Sequence, residues 1–143
     1  MFKLVEERRT WAKVSFPFLN EAGEPETAEF QLQFVLLPAD DNMALLLQAR
    51  KIDVDLAASM AAAQVVPKDG AAAAPAKKPS ELAAALCMKF VRDWKDVAEP
   101  NEDAIKFSEA ELVRLLNVEG MFGAVMDAYR DAIRGGRDAR SGN

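Results

Sequence analysis

Between Asp93 and Asp103 the chain places five carboxylates, Asp93, Asp96, Glu99, Glu102 and Asp103, around a single tryptophan, Trp94. Carboxylates at this density are what a divalent-metal site or an acid/base pair is built from. The spacing does not fit a helix-loop-helix calcium site. Counted from Asp93, the third and fifth positions are Lys95 and Val97, where oxygen ligands are needed, and no glycine stands at the sixth. A run of acids around Pro100 reads more simply as a solvated surface. The chain has no histidine, which removes the commonest acid/base group near neutral pH and the commonest nitrogen ligand for metals. The residues therefore point away from an enzyme. They assign no catalytic residue, metal ligand or cofactor, and a metal-dependent enzyme using the Asp93 to Asp103 acids is the minor reading.

The single cysteine, Cys87, lies beside Leu86 and Met88 in an apolar helical stretch and reads as a buried structural thiol in a reducing compartment. Trp94 has two readings. It can bury its ring on a small core while its indole N–H finds a carboxylate or a backbone carbonyl, or it can be a hot spot for a partner. Met121, Phe122 and Met126, together with Phe107, are candidates for a partner-binding patch, because methionine adapts to different surfaces and aromatic rings carry interface energy. The competing reading makes Phe122 and Met126 core residues of the last helix and leaves Met121 the most exposed of the three. Gly120 and Gly123 lack the Gly-Lys-Ser/Thr sequel of a phosphate loop and read as sites of close helix packing.

The elements that must position these residues follow from periodicity. Ala12, Val14, Phe16 and Phe18 alternate with Lys13 and Ser15. Phe30, Leu32, Phe34 and Leu36 alternate with Glu29, Gln31 and Gln33. Both have the period of a half-buried strand, and the Gly- and Pro-containing loop "LNEAGEPE" between them predicts an antiparallel hairpin. Trp11 falls on its mainly polar face, at a strand end. A lone hairpin is marginal in water, so following helices or another chain must cover it. After Pro38, Asp40 or Asp41 can cap a helix, which beyond Ile52 becomes alanine-rich. Residues 67–79, "PKDGAAAAPAKKP", read as a flexible linker. Ser80 can cap a helix carrying Leu82, Leu86 and Phe90 that ends near Arg92 to Asp96. Ser108 and Glu111 form a capping box for the next helix, and a final one carries Phe122, Val125, Met126, Tyr129 and Ile133 until Gly135 and Gly136 stop it.

The resulting expectation is an α+β protein: an N-terminal antiparallel β-hairpin followed by a mainly helical C-terminal lobe. Its parts are a hairpin-plus-helix lobe at 1–66, the linker, a helical lobe at 80–134 and a flexible tail at 135–143. The 143 residues suffice for one compact domain or two small lobes sharing a core, and half of them are hydrophobic. A net charge of −5 argues against nucleic acid as a partner, and the three arginines Arg134, Arg137 and Arg140 read as a solubilising tail. The start, "MFKLVEERRTW", lacks the apolar core of a signal peptide, and no apolar run is long enough to span a membrane. The expected setting is the cytoplasm.

The segment "FVRDWKDV", a short acidic insert and "IKFSEAELVRLLNVEGMFGAVMDAYRDAI" resemble the tail assembly chaperones of long-tailed bacteriophages and prophages. In that family a V-x-D-W-x-x-V segment leads through a short loop to a pFSeenL..LL helix and a last helix. "TWAKVSFPF" and "EFQLQFVLLPADD" are similar to the hairpin-then-helix start of many members. The resemblance covers most of the chain and is most specific from Met88 to Ile133. It implies a non-enzymatic protein of the host bacterial cytoplasm that binds the tape-measure protein, keeps it soluble and helps tail tube protein polymerise around it. Self-association and a longer frameshifted form are compatible with it. The alternative is a structural minor tail or tail-completion protein retained in the virion.

Overall fold

The computed structural model describes residues 1–2, 4, 7–62 and 78–135, with residues 53–62 described by their backbone alone. The order is β1 (Arg8–Leu19), β2 (Pro25–Leu36), α1 (Ala39–Ala62), α2 (Pro79–Cys87), β3 (Val91–Lys95), α3 (Glu109–Leu116) and α4 (Met121–Ile133). The fold is α+β. Residues 63–77, which include most of the 67–79 segment read as a linker, and residues 136–143 of the tail lie outside the described residues.

β1 and β2 form the expected antiparallel hairpin, in a register that sets Ala12 opposite Leu32 and Val14 opposite Phe30. Its turn is organised by Asn20, whose side-chain oxygen accepts from the backbone N–H groups of Ala22 and Glu24, both at 2.9 Å. Gly23 supplies the left-handed backbone there at φ +80°. Trp11 lies within β1 rather than at its end, on the outward face, with the Lys95 ammonium 4.0 Å from its ring centroid.

A third strand corrects the helix expected to run to Arg92–Asp96. α2 ends at Cys87, and Val91–Lys95 instead pairs antiparallel with β2, giving the sheet order β1-β2-β3. Gln33 faces Asp93 and Phe34 faces Val91, so Arg92 is an extra residue in the ladder, a bulge. This extra residue lets Val91 and Trp94, three positions apart, both be buried, where strict alternation would put them on opposite faces. The Arg92 guanidinium donates to the Met88 carbonyl at 2.7 Å, satisfying an acceptor just past the end of α2.

The helix starts also differ in detail. α2 begins with Pro79 at its first turn after Lys78, and Ser80 makes no cap. Asp40 and Asp41 lie in the first turn of α1, where their charge favours the helix dipole, rather than at its cap. At α3 the Ser108 hydroxyl accepts from the Glu111 N–H at 3.2 Å as expected, but the Glu111 carboxylate pairs forward with Arg114. α4 ends where expected, with Gly135 at φ +82° just beyond it.

One core joins these elements. Phe34 of β2, Phe90 between α2 and β3, and Tyr129 of α4 meet at centroid distances of 5.3 Å (Phe34–Tyr129) and 4.3 Å (Phe90–Tyr129). All three are fully buried, and each such side chain contributes about 1.5–3 kcal/mol by leaving water. The Tyr129 hydroxyl accepts from the Leu37 N–H at 3.4 Å and donates to the Asn42 side chain, so α4 is tied to the β2–α1 junction. Burial of this hydroxyl raises its pKa.

Candidate functional site

All five candidate binding residues lie in or against one core, and two of them, Trp94 and Phe107, meet ring to ring. Trp94 on β3 stacks edge-on against Phe107, with ring centroids 5.2 Å apart and planes at 86°. Trp94 is only 6% exposed. Its indole N–H donates to the backbone carbonyl of Ile105 at 2.7 Å, not to a flanking acid. Met121 and Met126 belong to the core at 5% and 2% exposure, which corrects the expectation that Met121 is the most exposed of its group. Gly120, in the left-handed conformation at φ +85°, turns the chain so that Met121 opens α4 facing inward. Phe122 is partly buried against the same core.

The acids are dispersed rather than convergent. Asp93 accepts from the Trp94 backbone N–H at 2.8 Å, and Asp103 pairs with the Asn101 amide at 3.0 Å. Glu99 receives both terminal nitrogens of Arg114 at 2.6 Å. That bidentate contact holds the Glu99 carboxyl below the usual carboxylate range and raises Arg114 further above neutrality. Among the described residues no group of three or more Asp, Glu or Cys side chains is placed to hold a metal ion. Cys87 is fully buried, and its burial pushes the thiol up to about 12. None of the described helices is long and apolar enough to cross a membrane.

A concavity lies elsewhere, between β1 and α4. Among the described residues β1 pairs with β2 alone, so its outer edge carries backbone groups without a strand partner there. α4 runs beside it, leaving an open groove of about 1110 Å³. Gly123, Ala124, Ala128 and Ala132 line the helix side, and a Cβ added at Gly123 would meet nothing within 4 Å. Gly123 therefore leaves space rather than permitting close packing, which corrects the sequence expectation. The groove's rims differ in charge. Arg8, Arg9 and Lys13 stand on the strand side, Arg9 paired with Glu7 and Lys13 with Glu29, and Glu119, Asp127 and Asp131 on the helix side, Asp127 paired with Arg130.

Sequence reasoning missed this groove. Its signal was the recurrence of small residues at 120, 123, 124, 128 and 132, interleaved with Asp127 and Asp131 at helical spacing.

No family model matches the chain, and no curated protein or solved structure is significantly similar to it.

Proposed function

We propose that this chain is a phage tail assembly chaperone, a non-enzymatic protein that acts in the host bacterial cytoplasm by holding a segment of the tape-measure protein in the β1–α4 groove. The supporting observation is the pairing of an open strand edge with a helix wall of glycine and alanine. An extended segment laid beside β1 gains main-chain hydrogen bonds along that edge, and every second side chain gains room against the small residues of α4. Arg8 on the strand rim and Glu119 and Asp131 on the helix rim offer it charges of opposite sign. The motif resemblance from Met88 to Ile133 names the partner class, and the groove supplies a physical means of shielding it. Trp94 and Phe107 serve this role indirectly, by holding β3 and the segment before α3 in place.

The test is co-expression with the tape-measure protein of the same gene cluster, followed by affinity purification and measurement of the soluble tape-measure fraction. Wild-type protein should co-purify with its partner and raise that fraction severalfold. Gly123→Arg fills the groove in open space and replaces a helical glycine, so its melting temperature should not fall, while tape-measure capture is lost. Absence of capture by the wild type, together with recovery of the chain from purified virions, would replace this reading with that of a structural tail component.

A further inference from the structure

The outward face of α1 carries a second surface with its own internal symmetry. Met43 and Leu47 are 68% and 63% exposed, unusual for large apolar side chains one turn apart. They line a shallow groove of about 640 Å³ together with Leu46, Arg50 and Arg130 of α4. Asp40 and Arg50, both exposed, flank the apolar pair along the helix. The positions 40, 43, 47 and 50 advance by three, four and three residues, so they form one stripe. The buried residues of α1, Leu45 and Ala49, lie on the opposite side.

From this stripe we infer that the protein self-associates through α1, two copies packing their helices antiparallel about a two-fold axis level with Leu45. Numbers that sum to 90 then meet: Met43 of one copy packs on Leu47 of the other, and Asp40 meets Arg50, each contact occurring twice. A two-fold interface must be self-complementary in this way. Reading the stripe backwards exchanges its charged ends with opposite sign and its apolar centre with itself. Parallel packing would instead oppose Asp40 to Asp40 and Arg50 to Arg50. The antiparallel overlap spans 39–51, the turns of α1 between Pro38 and Ile52, and leaves the β1–α4 groove outside it. The apolar centre is small, so the dimer is a reversible one that forms with rising concentration.

Sedimentation velocity over a concentration series reaching about 1 mM tests this. The wild-type mass should rise from 15.7 kDa toward twice that value. Leu47→Glu should remain monomeric throughout with an unchanged melting temperature, because the side chain it replaces is exposed. Asp40→Arg places arginine against arginine at both ends, and Arg50→Asp places aspartate against aspartate, so each alone should weaken association roughly tenfold. Mixing the two variants, or combining both changes in one chain, should restore it. A wild type that stays monomeric across the series would overturn the inference. So would a dimer that ignores Leu47→Glu, or single reversals that are not rescued by their combination.

Discussion

Trp94 donates its indole N–H to the carbonyl oxygen of Ile105 at 2.7 Å, across the loop that links β3 to α3. The same loop is closed by the Ile105 N–H donating to Val97 at 2.9 Å and by the isolated bridge between Ala98 and Ala104. The tryptophan thus satisfies its own polar edge and a loop carbonyl while its ring fills the space beside Phe107. The surrounding acids stay in solvent.

Replacing Trp94 by alanine removes both contributions and should destabilise the protein by about 3–5 kcal/mol. Trp94→Phe keeps part of the ring and leaves the Ile105 carbonyl without its donor, for a smaller loss of about 1–2 kcal/mol. Urea denaturation followed by far-ultraviolet circular dichroism separates the two. Equal losses would mean that the hydrogen bond, not the ring, dominates.

Tyr129→Phe deletes the hydroxyl that joins the Leu37 N–H to the Asn42 side chain, at an expected cost of about 1–2 kcal/mol. Because Asn42→Ala breaks part of the same network, the double variant should lose less than the sum of the singles. Strict additivity in chemical denaturation would show that the two groups do not act together.

The Glu99–Arg114 pair sets a pH dependence whose sign follows from the direction of the shift. The folded-state pKa of Glu99 lies below its ordinary value of 4.5. Its contribution is therefore complete above that value and is lost as pH falls through the lower folded value. Arg114 is exposed and Glu99 partly so, and the effect is therefore small and shrinks at high salt. Melting temperatures of wild type and Glu99→Gln, measured from neutral pH downward, should converge in acid. A gap that is constant with pH would contradict the assignment.

The parts of the fold that follow a single period were legible in the sequence. Val14 and Phe16 share a face with Phe30, Leu32 and Phe34 because strands alternate, and Ser108 announced α3 because a hydroxyl there can reach the Glu111 N–H. β3 was hidden by its own bulge. With Arg92 inserted, Val91 and Trp94 fall three apart and follow Leu86 and Phe90 at four, which is the spacing of a helix. The burial of Met121 depended on the left-handed Gly120, a backbone state that residue types alone do not reveal. The groove depended on which strand stands at the sheet edge, a matter of topology rather than of local pattern. Of the candidate site residues, Trp94, Met121 and Met126 were recognisable as important side chains, and the structure buries all three.

The order of the strands has a consequence for synthesis. β2 occupies the centre of the sheet, yet one of its two neighbours, β3, is encoded after both α1 and α2. A nascent hairpin leaving the ribosome therefore presents β2 with one side unmatched until Val91–Lys95 has been translated, an interval on the order of seconds at ordinary elongation speeds. Neighbouring ribosomes on one message hold several such hairpins close together during that interval. Slowing translation between codons 37 and 90 should lengthen the exposure and divert more chains into aggregates, without altering the stability of the finished protein.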